Sequence, residues 1–307
     1  MFGRKTLGLE INPDGIRLAL LSGSHAKPVM EGFCEAPFIP ETIRISLREP
    51  NILNREVFVK TVRDTYLRLL TTTVRTAVAL PDSAGRVMLI DLDTRFKSRN
   101  EAEEIIRWKL KKNFPFDIND AHLDFQQVQE RETGEIVVLV SLICRQVLNQ
   151  YEDILIEVGL EPNQIDFTTF GLYELFVNRF SLDQDFVFIC FFAGVVSVLI
   201  FREGSLVFYR TKEVNGSTFA PNRIYREISS SLLVYHDKNP GLPVGKVYCL
   251  IAKDRSDEFR SLVAEATNQE PVLLDAERVI TRSATCSSDS PNMFSMTAAL
   301  GIALRNL

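Results

Sequence analysis

The sequence predicts an α/β protein with a duplicated architecture, in which two halves face each other across a cleft. Each half begins with three apolar, strand-like segments joined by tight turns, the first set starting near Thr6 and the second near Asp185. Each then continues with alternating helices and strands, in the order βββαβα. A strand, a helix and a hairpin interrupt the first half. We therefore predict a first half over 1–184, with a small α+β subdomain inserted at about 82–145, and a second half over 185–307.

Composition excludes several classes of function. The 307 residues are 46% hydrophobic, enough for sizeable cores, and 35 basic against 40 acidic residues give a net charge of -5. This balance gives no electrostatic footprint for nucleic acid, so we expect no such partner. The five cysteines form no CxxC pair and the three histidines lie in no metal-binding spacing, which predicts reduced thiols and no metal site.

Apolar runs in the sequence are too short to cross a bilayer. The longest, Phe186 to Phe201, is broken at Ala193-Gly194 and reads as two strands, whereas a spanning helix needs about 20 residues. The N-terminal stretch moves directly into a strand without a signal-peptide pattern. We therefore expect a cytoplasmic protein, with any membrane association made through a partner.

Turn signals define the start of the first half. Asn12-Pro13-Asp14-Gly15 predicts a tight turn, because proline fixes φ while asparagine and glycine suit the flanking positions. The predicted elements are strands at 6–11, 16–21, 28–37 and 74–81 and a helix within 54–72.

Capping residues define the inserted subdomain. Ser98 and Glu101 form a capping box at the start of a helix that we expect to stop at Pro115. A strand precedes this helix at 85–93, and two strands follow it around Thr133-Gly134.

The predicted elements after the insertion complete both halves. They are a helix at 145–158 capped by Gly159, a strand at 161–167, a helix at 168–180, three strands within 185–210, a helix at about 218–236, a strand at 246–252, a helix at 256–267, a short strand at 271–275, a loop at 280–292 and a helix at 293–307.

Four stretches in the right order resemble the PilM-like type IV pilus assembly proteins: "EAEEIIRWKLKKNFPFDINDAHLDFQQV", "QYEDILIEVGLEPNQIDFTTFGLYELF", "SLVFYRTKEVNGSTF" and "AALGIALRNL". The resemblance implies an actin-like fold, a duplicated ribonuclease H-like architecture related to the division protein FtsA and to GspL-type secretion proteins. It also implies that ATP binds between the halves and that the protein binds the cytoplasmic N-terminal tail of a single-span inner-membrane partner, PilN. The protein would then lie in the cytoplasm, at the inner face of the inner membrane.

The first turn departs from the nucleotide pattern of that family. An Asp-x-Gly-Ser motif, whose backbone N–H groups would close around phosphate, falls on Glu10-Ile11-Asn12-Pro13. Pro13 has no N–H to donate, and Asp14 adds a negative charge. We therefore interpret Glu10 and Asn12 as vestiges of a nucleotide site.

The second turn and the adenosine loop depart as well. Asp-x-Gly falls on Cys190-Phe191-Phe192, so phenyl rings would fill or cover the phosphate position, and Gly194 and Ser197 are the remnants there. The adenosine loop would fall on Lys253-Asp254-Arg255-Ser256, which has no glycine. We therefore expect no cofactor, with ATP and magnesium bound only if the site is rearranged.

Aromatic residues in the inserted subdomain are candidates for partner binding. The resemblance places the partner tail at this subdomain, so Trp108, Phe114 and Phe116 become the candidate contacts.

Two functions follow from the resemblance taken together with these departures from its nucleotide motifs. The favoured one is a non-catalytic scaffold of a type IV pilus or type II secretion-like machine, a pseudo-ATPase rather than an enzyme. The alternative is an ATP-binding switch in the same machinery. A sugar-kinase-like enzyme is a more distant third, since its catalytic Asp and phosphate loops are missing from the sequence. Assembly into homo-oligomers stays open.

Overall fold

Three β-sheets and eight α-helices form the part of the chain that the structure describes. This computed structural model describes residues 5–93, 95–132, 134–214, 219–284, 286 and 292–307. The strands are β1 (Thr6–Asn12), β2 (Gly15–Ser24), β3 (Lys27–Pro37), β4 (Arg75–Leu80), β5 (Gly85–Leu92), β6 (Ala121–Glu130), β7 (Ile136–Cys144), β8 (Glu161–Phe167), β9 (Phe186–Phe192), β10 (Val195–Arg202), β11 (Ser205–Glu213), β12 (Lys246–Leu250), β13 (Val272–Leu273) and β14 (Thr281–Arg282). The helices are α1 (Arg55–Arg68), α2 (Arg99–Leu110), α3 (Arg145–Val158), α4 (Thr168–Leu175), α5 (Val177–Phe180), α6 (Pro221–Lys238), α7 (Ser256–Thr267) and α8 (Met293–Leu304).

The first sheet has the strand order β14-β3-β2-β1-β4-β8. Strands β1, β4 and β8 are parallel, so their carboxyl ends meet at one edge, where the turn after β1 also lies. Leu7, Leu9 and Ile11 of β1 face a core shared with α1 and α3. The opposite face of the sheet packs against α8.

The second sheet has the order β11-β10-β9-β12-β13. Side chains of β9 alternate between its two faces, as the pleat requires. Val187, Ile189 and Phe191 belong to a core with α6 and α7. Phe186 and Phe188 belong instead to the largest core, which includes residues of α4, α5 and α8.

Helices α4 and α8 cross between the two sheets at very short distance. A Cβ atom at Gly301 would lie 1.8 Å from the carbonyl oxygen of Gly171, and one at Gly171 would lie 2.8 Å from that of Ala298. Strand β1 approaches α8 just as closely at Gly8, since a Cβ atom placed there would lie 2.0 Å from the carbonyl oxygen of Ala299. Helix α8, from the end of the chain, thus packs on the first sheet and on α4.

The third sheet, β5-β7-β6, lies within 82–145, the range for which an inserted subdomain is predicted. All its pairs are antiparallel, and α2 covers one face through Ile106 and Leu110. Strand β6 pairs only with β7 within the described residues, which leaves its other edge open. Strand β11 of the second sheet contacts β5, so the subdomain touches both halves.

Several local predictions are confirmed. The Oγ of Ser98 accepts the Glu101 N–H as a helix cap, and Gly159 ends α3 in the left-handed region at φ 94°. The turn at Asn12-Pro13-Asp14-Gly15 joins β1 to β2 as expected.

Other boundaries differ from the prediction. Helix α2 ends at Leu110, ahead of Pro115, and the helix expected at 168–180 divides at Phe176 into α4 and α5. Thr281–Arg282, expected in a loop, pairs with Val29 and Met30 of β3. The expected start of α6 at Thr218, and Thr133 of the hairpin, lie outside the described residues. In the described chain, no helix combines the length and apolar character that crossing a membrane requires.

Candidate functional site

The first turn is closed by its own asparagine. The Oδ1 atom of Asn12 accepts hydrogen bonds from the backbone N–H groups of Asp14 and Gly15, at 2.9 and 3.0 Å. This is the Asx-turn geometry that asparagine favours. Because these N–H groups already have an acceptor inside the turn, a phosphate would have to displace Asn12 to bind them.

Glu10 lies beneath this turn and is fully buried. Its Oε1 accepts from Asn12 Nδ2 at 2.8 Å, and its Oε2 accepts from Arg17 at 2.9 Å. Burial raises the pKa of Glu10, while the Arg17 guanidinium opposes that shift. Both carboxylate oxygens are therefore engaged with residues of the chain.

The second turn is a two-residue hairpin between β9 and β10. Ala193 and Gly194 both have positive φ, 46° and 79°, as a type I′ turn requires. The rings of Phe191 and Phe192 point to opposite faces of the sheet, where they pack against Phe219 and Phe294 at centroid distances of 5.8 and 5.2 Å. Both rings are buried in these cores.

A buried polar cluster joins α4 to strands β10 and β11 of the second sheet. We call Asp82, Thr169, Ser197 and Tyr209 the Asp82 cluster. Asp82 Oδ1 accepts from the Thr169 N–H at 3.3 Å and from the Tyr209 hydroxyl at 3.2 Å. The Thr169 and Ser197 hydroxyl oxygens lie 2.8 Å apart, so the Ser197 side chain already has a hydrogen-bond partner within the chain.

Burial changes the acid–base properties of this cluster. Asp82 is 8% exposed, and burial raises its pKa to about 6, although hydrogen bonds from Thr169 and Tyr209 oppose the shift. Burial also raises the pKa of Tyr209 well above its ordinary value. Sequence reasoning missed Asp82; the available signal was a carboxylate placed directly after a buried strand and Pro81.

Two members of the Asp82 cluster border a cavity of about 540 Å³, which we call the cleft groove. Asp82 and Tyr209 line it, together with three basic residues, Arg86, Arg210 and Lys212. Arg210 is directed toward α6, where it donates to the Ser230 carbonyl at 3.4 Å.

A larger cavity of about 840 Å³, which we call the side groove, lies between the first sheet and the inserted sheet, and residues of β10 and β11 in the second sheet also line it. The outer strands of these two sheets, β8 and β6, both contribute to its lining. Its lining includes aromatic and aliphatic residues: Phe125, Phe167, Phe170, Tyr173, Phe201 and Leu206.

Charged residues in the side groove are mainly acidic. Asp124, Glu152, Asp166 and Glu174 line it, against Arg145, Arg305 and His122. Asp166 forms an ion pair with Arg305. The carboxylate of Glu174 lies 2.9 Å from His25 Nε2 and 3.9 Å from Arg305 Nε. Burial raises the pKa of Asp166, and Arg305 opposes that shift.

The predicted aromatic contacts lie elsewhere on the inserted subdomain. Trp108 is 80% exposed on α2, and the rings of Phe114 and Phe116 pack on each other at 5.6 Å. Among the described residues that line the two grooves, none of these three occurs. Their role in partner binding stays a prediction.

The loop expected at the adenosine position is tied to its own surroundings. Lys253 pairs with Glu277 at 2.8 Å and with Asp275 at 3.9 Å, and the Arg255 guanidinium lies 5.7 Å from the Phe219 ring centre. Within the described residues, no cluster of three or more His, Cys, Asp or Glu side chains is arranged to hold a metal ion.

Comparison with known structures identifies the fold as actin-like. The chain is similar to a structure of a "PilM-PilN type IV pilus biogenesis complex", with 18% identity, 98% of both chains covered and a TM-score of 0.76. It is also similar to a Bacteroides thetaiotaomicron protein with an actin-like ATPase fold, with 11% identity, 95% of both chains covered and a TM-score of 0.53. The predicted fold class is thus confirmed.

The family follows from the sequence match. The family model described as "Type IV pilus assembly protein PilM" matches residues 8–231, more than two thirds of the chain. The chain belongs to this family, as its resemblance indicated. A search of curated proteins gives no match.

Proposed function

We propose that this chain is a non-catalytic scaffold of a type IV pilus or type II secretion-like machine, and that its side groove binds the cytoplasmic N-terminal tail of a PilN-like inner-membrane protein. The observation that carries the proposal is the position of the groove between two outer strands, β6 and β8. Its support comes from membership of the PilM family and from similarity to a PilM-PilN complex.

Outer strands favour an extended peptide as the ligand. Among the described residues, no strand pairs with the outer edge of either, so a peptide lying in the groove would add a strand by hydrogen bonding to the backbone N–H and C=O groups there. Alternate side chains of that peptide would face the aromatic residues of the lining, among them Phe125, Phe167 and Phe201. Affinity and side-chain selectivity would thus come from different parts of the groove.

Charge favours a basic tail. The side groove has four carboxylates against two arginines, while cytoplasmic segments next to membrane spans carry an excess of Lys and Arg. A positively charged tail would therefore approach an acidic groove, which increases the rate of association.

The pseudo-ATPase part of the proposal rests on the two turns. Asn12 occupies the N–H groups of the first turn, and Arg17 with Asn12 occupies the carboxylate of Glu10. After the second turn, the hydroxyl of Ser197 in β10 is hydrogen-bonded to that of Thr169. ATP binding would have to break these internal contacts, so we propose that the chain works without a nucleotide.

One observation favours the ATP-binding switch as a second candidate. Arg86, Arg210 and Lys212 line the cleft groove, and basic side chains of this kind attract phosphates. A nucleotide held there would use side chains in place of the lost backbone motif.

The cellular setting is part of the same proposal. We place the chain in the cytoplasm at the inner face of the inner membrane, held there through its partner as a peripheral component. Assembly into homo-oligomers is compatible with this arrangement.

Calorimetric titration tests the proposal. The purified chain is titrated with a synthetic N-terminal tail of the membrane protein encoded beside it and, separately, with MgATP. Saturable binding of the tail supports the scaffold. Absence of tail binding to the folded protein contradicts it, and saturable micromolar MgATP binding supports the switch.

A further inference from the structure

The side groove and the cleft groove share a wall. Helix α4 contributes Phe170 to the side groove, and β11 contributes Tyr209 to the cleft groove. The two rings stack between the cavities, with centroids 5.5 Å apart and planes 24° from parallel. The position of one ring therefore constrains the other.

Asp82 fixes both sides of this stack. Its Oδ1 accepts the hydroxyl hydrogen of Tyr209 and the backbone N–H of Thr169, the residue immediately before Phe170. One buried oxygen atom thus holds the ring on β11 and the backbone that carries the opposing ring on α4. The Thr169 and Ser197 hydroxyls reinforce the same junction at 2.8 Å.

We propose that Asp82 is a positioning residue for the side groove: through Tyr209 and Thr169 it holds Phe170 in the orientation that shapes the groove for its peptide. This inference rests on the proposed function for the identity of the ligand. Asp82 lines the cleft groove and does not line the side groove among the described residues, so it acts on the peptide through Phe170.

If Asp82 has this role, a ligand bound in the cleft groove can alter the shape of the side groove. A small anion attracted by Arg86 or Lys212 would lie beside Asp82 and Tyr209. Any ligand that draws the Tyr209 hydroxyl away from Asp82 would release one side of the ring stack.

The variants separate hydrogen bonding from charge. Asp82→Ala removes the acceptor, whereas Asp82→Asn keeps an acceptor oxygen of the same size and removes the charge. Tyr209→Phe keeps the ring and removes the hydroxyl donor, and it replaces Asp82→Ala if that variant does not fold. Asp183→Ala is the control, because Asp183 likewise accepts from a tyrosine hydroxyl, that of Tyr248 in β12, and lines neither groove within the described chain.

Two measurements decide the proposal. The first is the affinity for the synthetic tail peptide: we expect Asp82→Ala to weaken it about tenfold, Tyr209→Phe about threefold, and Asp82→Asn and Asp183→Ala less than twofold. The second, which needs no peptide, is the ¹⁹F resonance of 4-fluorophenylalanine introduced at Phe170, and we expect it to shift or broaden in Asp82→Ala and to stay in place in Asp82→Asn and Asp183→Ala.

The outcomes are distinguishable. If the unmodified chain binds no tail, the proposed function fails, and the ¹⁹F resonance still decides whether Asp82 positions Phe170. If the tail binds but folded Asp82→Ala binds it with unchanged affinity, the positioning role is overturned. An Asp183→Ala loss as large as that of Asp82→Ala would also overturn it, because general destabilisation would then explain the effect.

Discussion

Gly301 of α8 approaches Gly171 of α4 so closely that a Cβ atom on Gly301 would lie 1.8 Å from the Gly171 carbonyl oxygen. The obstacle is backbone, so the two helices would have to separate. We expect Gly301→Ala to lower the free energy of unfolding by about 3 kcal/mol, the upper range for overpacking a core. Chemical denaturation measures this loss.

Gly204→Ala is the matched control for that prediction. Gly204 has a φ of 74° but open space around its Cβ position, so the cost there is conformational, about 1 kcal/mol. Equal losses for the two variants would contradict the tight crossing of α4 and α8.

Arg17 balances the buried charge of Glu10. Replacing it by Met leaves that carboxylate without its cation, and breaking a buried pair in this way costs about 3 kcal/mol. The loss of Arg17 raises the pKa of Glu10 further, so Arg17→Met is least stable at high pH and recovers as the pH falls and Glu10 takes up a proton. Adding Glu10→Gln to Arg17→Met is expected to restore much of the stability at pH 8. Thermal unfolding of both variants from pH 5 to pH 8 checks this.

Asp82 is expected to make stability depend on pH in the same direction. Its pKa is about 6 in the folded chain against an ordinary value of 3.8, so between these values the folded state binds more protons. The contribution to stability is fully present below pH 3.8 and is lost as the pH rises through 6. At pH 8, the free energy of unfolding of Asp82→Asn should therefore exceed that of the unmodified chain by up to about 3 kcal/mol. This gain should shrink toward pH 5. A gain that does not change with pH would contradict the assignment.

Glu152 tests the charge of the side groove. It lies on α3 and lines the groove, so Glu152→Lys reverses one of its four negative charges. We expect the affinity for a basic tail peptide to fall about fivefold at low salt and the difference to shrink at high salt, since exposed charges are screened. Glu258→Lys on α7, the same change away from both grooves, should leave binding unaltered. Similar losses in both variants would show that overall charge, and not the groove, attracts the tail.

Local signals in the sequence predicted many elements. The Asn12-Pro13-Asp14-Gly15 turn, the Ser98 cap and the Gly159 stop are all determined by a few neighbouring residues, and the structure has them in place. Helix α2 stops before Pro115 because a proline disfavours helical geometry in the residue before it and clashes with the preceding turn. Strand β14 depends on pairing with β3, far away in sequence, so two residues gave no local signal for it.

Residues of the candidate sites were predictable to different degrees. Glu10, Asn12, Gly194 and Ser197 lie in or next to turns that a family pattern locates, but Thr169, which hydrogen-bonds Ser197, comes from α4, 28 residues away in sequence. The Asp82 cluster joins four separate segments, and the side groove lies between two sheets. Tertiary packing creates these sites, and no single stretch of sequence contains them.

Calorimetry with the tail peptide and MgATP tests the central claim most directly. The account predicts saturable tail binding, absent from a scrambled peptide of the same composition, and no saturable MgATP binding in the micromolar range. Micromolar MgATP binding by the unmodified chain would contradict the account, because it would mean that the contacts of Asn12 and Glu10 yield to a phosphate and that the protein is a nucleotide switch.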